Sequence, residues 1–220
     1  MNCFSDVFLP NYDNLLVNLQ SKRAQIEEFL TEILPTFPMD NPNDQVFDTG
    51  SALGPALSVA YKVLSSLGGR ITLIQATLPN VGNPTDGSLL TNREDPNKRT
   101  SNTNNVNTLT PLLNPGTDFY KKLALECSEH QIAVDLFDLS SSYSDLATVG
   151  SVSKFSGGTV YYYGGSAPTS LLTRFEKDMT HYLQRNIGFE AVMRMRCTRG
   201  LSIHTFHGNF FVRYLTLDLN

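Results

Sequence analysis

The sequence predicts an α/β protein with a mostly parallel sheet, followed by an antiparallel run. Three observations carry that expectation. Helical and strand patterns alternate over most of the chain, and the three strand patterns are β-branched or aromatic with little polar alternation. From Phe189 the apolar period drops to two.

The first helix is expected after Asn11 and Asp13, with Leu15, Leu16, Leu19, Ile26, Phe29, Leu30 and Ile33 on its apolar side and Pro35 to stop it. A second is expected after Asp48, Thr49 or Ser51. Pro55 is tolerated in its first turn, Ala52, Ala56, Val59, Ala60, Val63 and Leu64 form its face, and Gly68-Gly69 ends it. Strands are expected at 71–78, 132–139 and 159–163. Helices are expected near 118–130, 143–155 and 168–187, the last with Leu171, Leu172, Phe175, Met179, Tyr182 and Leu183 facing inward. Right-handed crossovers follow from this order. The first pattern is a helix, so the strand that would feed the sheet ahead of it is missing.

Residues 79–117 form a polar stretch far beyond the roughly 12–15 residues usual for an ordered loop. Within it Ser101-Asn-Thr-Asn-Asn-Val-Asn-Thr108 is expected to be disordered, and Arg93-Glu-Asp-Pro-Asn-Lys-Arg99 to hold a turn. After Phe189, Val192, Arg194 and Arg196 share one strand face, and Met193, Met195 and Cys197 the other. Thr198-Arg199-Gly200 reads as a hairpin turn, Leu201–Phe206 as the returning strand, and Phe210 and Phe211 as the start of a third. Such strands need a covering sheet.

Composition narrows the function classes. Of the 220 residues 40% are hydrophobic and 17% charged, as in a globular domain. No apolar run reaches the roughly 18–20 residues that cross a bilayer, and the first residues lack a signal-peptide pattern. Three widely spaced cysteines, Cys3, Cys127 and Cys197, argue for a reducing compartment, with the cytosol as default. The net charge of −4 is uneven: residues 174–220 hold seven Lys/Arg against four Asp/Glu. That patch is either a solvated surface or one facing anionic lipid or an acidic peptide.

Catalytic and metal motifs are sparse. The sequence has no phosphate-binding loop, dinucleotide fingerprint or nucleophile elbow. Ser140-Ser141-Ser142 at a strand end, with Asp145 nearby, reads as a strand-to-helix cap before it reads as a nucleophile or anion site. Cys127 and His130 share a helix face but offer only two of about four zinc ligands. His204 and His207 fall on opposite strand faces, as do Asp135 and Asp138, against a paired-carboxylate mechanism. Tyr161-Tyr162-Tyr163 reads as sheet core, without the basic groove that nucleic acid needs. The surviving candidates are Arg194 and Arg196, about 7 Å apart on one strand side, with Arg199 in the adjoining turn. Guanidinium groups so placed grip the carboxylates of an acidic peptide, or pair with acidic residues of the protein itself.

Several ordered stretches resemble one family. Asp6-Val-Phe-Leu-Pro10 with Asp13-Asn-Leu-Leu-Val-Asn-Leu19, Thr49-Gly-Ser-Ala-Leu-Gly-Pro-Ala-Leu57, Arg93-Glu-Asp-Pro96 and Thr117-Asp-Phe-Tyr-Lys-Lys-Leu-Ala-Leu125 are similar to the trunk of the COPII cargo adaptors, the Sec-twenty-four family. Ala133-Val-Asp-Leu-Phe137, Tyr143-Ser-Asp-Leu-Ala147, Ile187-Gly-Phe-Glu-Ala-Val-Met-Arg194 and Thr205-Phe-His-Gly-Asn-Phe-Phe211 continue the likeness. It implies a partial von Willebrand A-like, doubly wound parallel sheet over residues 1–187, then the start of an antiparallel β-sandwich over 188–220. It further implies no catalysis and no metal or other cofactor, since the family's zinc-finger segment has no counterpart here. The implied partners are a GTPase-activating inner-coat subunit in a heterodimer, cargo export signals and, peripherally, the endoplasmic reticulum membrane, with no nucleic acid. The implied location is the cytoplasm, at endoplasmic reticulum exit sites and on vesicle coats. A free-standing module that competes with the full adaptor, and a small hydrolase-like enzyme using Ser142 or the Cys127–His130 pair, are the alternatives.

Overall fold

The structure, a computed structural model, describes residues 15–36, 50–83, 85–94, 110–165, 168–189 and 191–210. These fall into two units, one holding 15–36 and the other everything from Gly50 onward.

The first unit contains α1, Arg23–Thr36. Its start lies later than the apolar pattern suggested. The Asn18 carboxamide accepts from the backbone N–H groups of Gln20 and Ser21 at 2.9 and 3.1 Å. An asparagine that captures following amides holds the chain in a turn, so the helix begins only beyond it. Arg23 and Glu27, one helical turn apart, form an exposed ion pair at 2.7 Å.

The second unit runs α2 (Leu53–Leu64), β1 (Gly69–Gln75), α3 (Thr110–Leu113), α4 (Phe119–Glu129), β2 (Ile132–Asp138), α5 (Leu146–Ser156), β3 (Val160–Tyr162) and α6 (Pro168–Gln184). The three strands form one parallel sheet in the order β1-β2-β3, with Ile71 opposite Val134 and Leu136 opposite Val160. This is the α/β architecture that the alternating pattern implies. Gly68 and Gly69 end α2 at φ +70 and +137, and the Gly68 N–H closes on the Leu64 carbonyl at 2.8 Å.

Helices cover both sheet faces. On one, Ile132, Val134 and Leu136 of β2 pack with Leu53 and Leu57 of α2, Tyr120, Leu123 and Cys127 of α4, and Val149 and Val152 of α5. The buried side of α2 is Leu53, Gly54, Pro55 and Leu57, whereas Ala56 is exposed, so its face is rotated from the expected one. On the other sheet face, Phe137, Tyr161 and Tyr163 meet Leu171, Phe175, Met179 and Tyr182 of α6. Phe137 stacks on Tyr161 with ring centres 4.4 Å apart and meets Tyr182 edge-on at 5.3 Å. Leu172 and Leu183, expected inside, lie on the outer side at 66% and 71% exposure. Of the tyrosine run, Tyr163 is fully buried and Tyr161 packs against the core, while Tyr162 points outward, as strand alternation demands.

The antiparallel run is not formed among the described residues. Residues 191–210 contain no strand, and no described strand pairs with them. Val192 and Met193, adjacent and therefore on opposite sides of any strand, are 92% and 81% exposed. A ladder with neither face covered by a second sheet lacks the apolar burial that would hold it. The expected turn is nevertheless present, with Gly200 at φ +97 and the Leu201 N–H donating to Thr198 at 3.0 Å. Phe211 lies outside the described residues.

Asp135, at the middle of β2, joins four elements. Its carboxylate accepts from Arg70 Nε of β1 at 2.8 Å, the Thr159 N–H at the start of β3 at 2.8 Å, and the Tyr182 hydroxyl of α6 at 3.1 Å. Burial opposes the Arg70 charge, but the hydrogen-bonded carboxylate outweighs it and holds the guanidinium charged above its ordinary range. Removing one member of such a pair strands the other in low dielectric. Asp135→Asn is therefore expected to lower the unfolding free energy of the chain by about 3–5 kcal/mol in urea titrations; a loss below about 1 kcal/mol would contradict the assigned role.

Candidate functional site

The candidate arginines follow α6. Arg194, Arg196 and Arg199 are all exposed, and among the described residues none forms a hydrogen bond or ion pair. Arg199 sits in the Thr198–Leu201 turn. The segment is tied back at its far end, where the Asn209 carboxamide donates to the Gly158 carbonyl at 2.8 Å and Phe206 meets Phe210 edge-on at 6.2 Å. The three guanidinium groups are thus presented to solvent on a tethered strap, without the β ladder that was to fix their spacing.

At the carboxyl end of the sheet Asp138, Ser140, Ser144 and Asp145 are engaged in caps and turns. Asp145, and not the serine triplet, caps α5: its side chain accepts from the Thr148 N–H at 3.3 Å. Ser140 is buried, its N–H donating to Asp138 Oδ1 at 2.9 Å, and the Ser144 hydroxyl donates to Asp138 Oδ2 at 2.6 Å. Ser142 is exposed, and among the described residues no histidine is hydrogen-bonded to it. Asp135 and Asp138 lie on opposite faces of β2, as strand geometry requires, one engaged with α6 and the other with the loop before α5.

Arg93 fixes the long loop. Its Nε and Nη2 reach the two Asp145 oxygens at 2.8 and 2.5 Å, and Nη1 donates to the Asn114 carbonyl at 3.0 Å. The Asp145 carboxylate holds the Arg93 guanidinium charged above its ordinary range. Gly116 lets the guanidinium lie close, since a Cβ there would come within 3.2 Å of Arg93 Nε. One residue thus ties both sides of the loop to the start of α5. The remainder of the expected Arg93–Arg99 turn, and the Ser101–Thr108 stretch, lie outside the described residues.

Cys127 and His130 do not converge on a common point. Cys127 is buried in the core, while the His130 ring lies beside the Tyr61 hydroxyl at 3.2 Å. His204 is exposed next to Thr205. Among the described residues no three His, Cys, Asp or Glu side chains are placed to share a metal ion, and no helix is long and apolar enough to cross a membrane.

A parallel sheet sheathed by helices, with the buried Asp135 and Asp145 matched by Arg70 and Arg93 and three exposed arginines on the strap after α6, defines a scaffold that presents surface. The chain belongs to the Sec23/Sec24 trunk domain family, whose model matches residues 1–183. It is 51% identical over 211 residues to the human "Protein transport protein Sec24B", covering 94% of this chain and 16% of that protein. It is 48% identical to the Bos taurus "Protein transport protein Sec24A" (94% and 18%) and 38% identical to the Aspergillus clavatus "Protein transport protein sec24" (94% and 21%). The chain therefore spans only about a sixth to a fifth of the length of these relatives. Among solved structures, the human COPII-coat protein Sec24c superposes with a TM-score of 0.69 at 30% identity, over 84% of this chain and 23% of that one.

Burial pushes the Cys127 thiol up from 9.0 to about 11. The folded chain keeps a proton that the unfolded chain releases, so this contribution to stability is whole below pH 9 and is lost as pH rises toward 11. Cys127→Ala is expected to flatten the fall in urea midpoint between pH 9 and pH 11, and the native thiol to resist iodoacetamide at pH 8 while Cys197 reacts. Equal labelling of both cysteines in the folded chain would contradict the assignment.

Proposed function

We propose that this chain is the trunk-bearing part of a COPII-coat cargo adaptor, a non-catalytic component of the coat that carries proteins from the endoplasmic reticulum to the Golgi. The observation that carries this reading is the 51% identity over 94% of the chain to a protein transport protein, joined to the fold it shares with a COPII-coat protein. The role works by contact. The trunk surface meets a GTPase-activating inner-coat subunit, and Arg194, Arg196 and Arg199 meet acidic export signals of cargo on the cytoplasmic side of the endoplasmic reticulum. It needs no cofactor and no nucleic acid. Residues 188–220 are read as the entry to a β-sandwich, a reading supported by Met193 and Met195, which share the expected strand face opposite Arg194 and Arg196 and stand exposed where a covering sheet would bury them. The hydrolase alternative finds no support at Ser142, which lacks a hydrogen-bonded base among the described residues.

Exposed guanidinium groups bind carboxylates mainly through charge, so the interaction weakens with salt. Fluorescence anisotropy with a labelled peptide bearing paired Asp/Glu residues is expected to show saturable binding to the chain at low ionic strength. The Arg194→Ala, Arg196→Ala, Arg199→Ala triple variant should weaken it at least five-fold without a change in thermal midpoint. Unchanged affinity for every acidic peptide tried would remove these arginines from the proposal.

A further inference from the structure

The arginine strap also carries an exposed serine. Residues 191–210 hold three arginines and no Asp or Glu, and every side chain in them stands exposed. The segment loops between the end of α6 and the Asn209 tether on the Gly158 carbonyl. Three hydroxyl side chains lie on it: Thr198, Ser202 and Thr205. Thr198 opens the turn that the Leu201 N–H closes, and the Thr205 hydroxyl lies 2.7 Å from His204 Nδ1. Ser202 stands between these contacts, and neither of them uses it.

Arg199 stands three residues before Ser202, and no other described arginine has a serine or threonine at that spacing. A protein kinase needs an accessible, extended segment, because the acceptor hydroxyl must line up with the γ-phosphorus of its nucleotide. Kinases choose among such segments largely by charge, and an arginine three residues ahead suits those whose substrate groove is lined by carboxylates there. The hydroxyls of Ser58 and Ser151 are unsuited, since they donate to carbonyls of their own helices at 3.1 and 2.6 Å. Strand alternation also sets Ser202 on the side opposite Leu201 and Ile203. A sheet that buried those two apolar residues would leave the Ser202 hydroxyl on the outer side.

We propose that Ser202 is a phosphoacceptor for an arginine-directed serine/threonine kinase, and that its phosphate closes the arginine strap to acidic peptides. In the transfer, Ser202 Oγ bonds to the γ-phosphorus of Mg²⁺-ATP as the bond from that phosphorus to the β,γ-bridging oxygen breaks. ADP leaves with the electron pair, and the hydroxyl proton passes to the kinase's catalytic aspartate. Phosphoserine carries a charge of about −1.5 to −2 at pH 7, set against the three guanidinium charges of the strap, and its oxygens accept from guanidinium forks. The Thr198–Leu201 turn, closed at 3.0 Å, folds Ser202 back toward Arg199 and Arg196, so these partners are at hand in the same segment. The acceptor role stands by itself; the closure rests on the reading of the arginines as an acidic-peptide site.

The test treats the 220-residue chain with calcium/calmodulin-dependent protein kinase type II and Mg²⁺-ATP. Its intact mass should rise by one phosphoryl group, mapped by fragmentation to Ser202, absent from Ser202→Ala and gained about ten-fold more slowly by Arg199→Ala. No incorporation, phosphate on another hydroxyl, or an unchanged rate in Arg199→Ala would overturn the acceptor role. Closure is read in two ways. The ³¹P resonance of the phosphorylated chain should titrate below the ordinary midpoint of about 6, and return toward it in the Arg194→Ala, Arg196→Ala variant, which keeps Arg199 for the kinase. The labelled acidic peptide should bind the phosphorylated chain about ten-fold more weakly than the unmodified one. A midpoint unmoved by the variant, or equal binding by both forms, would overturn the closure. Failure of both forms to bind would strike the acidic-peptide reading and the closure with it, and the mass result would then decide the acceptor role alone.

Discussion

A carboxylate buried at the centre of a parallel sheet is costly unless it is matched, and the match at Asp135 organises the domain. Arg70 brings β1, the Thr159 N–H brings the start of β3, and Tyr182 brings α6 to one side chain. Because the Tyr182 hydroxyl donates to Asp135, the Thr72 hydroxyl 2.8 Å away must donate to Tyr182, which adds a second tie to β1. Arg185, beyond the end of α6, lies over the Tyr182 ring at 4.9 Å and approaches Asp135 at 3.9 Å. Such a cluster contributes less net stability than an apolar core of equal volume would. What it fixes is geometry: α6 has one position on the sheet that satisfies these donors, and the Phe137, Tyr161 and Tyr163 rings then pack beneath it.

A second buried match performs the same service at the sheet's carboxyl end. Asp145 serves at once as the α5 cap and as the partner of Arg93, so the helix start and the long loop are held by one side chain. Thr148 completes the arrangement by accepting the Gly116 N–H at 2.7 Å. With Asp135 and Asp145 so engaged, the fold spends its buried charges on internal order. Arg194, Arg196 and Arg199, which stand exposed after α6, are left as the surface proposed for recognition.

The order of elements, the parallel sheet and the opposed faces of Asp135 and Asp138 were legible because they follow from period and alternation, which are local. The Gly68-Gly69 stop was legible because only glycine adopts those dihedrals cheaply. The pairing of Arg93 with Asp145, 52 residues apart, left no trace in the order of residues. The choice among capping residues was equally hidden: Ser140, Ser142 and Asp145 are all competent, and the loop's path decides. Leu172 and Leu183 misled because α6 lies on the sheet by a narrower stripe than its apolar residues span. The antiparallel run is not formed by residues 191–210 for a related reason, since alternation describes a strand's sides without supplying what covers them. Of the candidate site, the three arginines could be named from sequence and their exposure is observed, but their spacing depends on pairing that the described residues do not make.

The central claim is that this trunk acts by contact with a partner coat subunit. Mixing the chain with the purified GTPase-activating inner-coat subunit and weighing the product by light scattering tests it most directly. The account predicts a one-to-one complex whose mass is the sum of the two and which forms without nucleotide or metal. Two separate species at micromolar concentrations of each would contradict it.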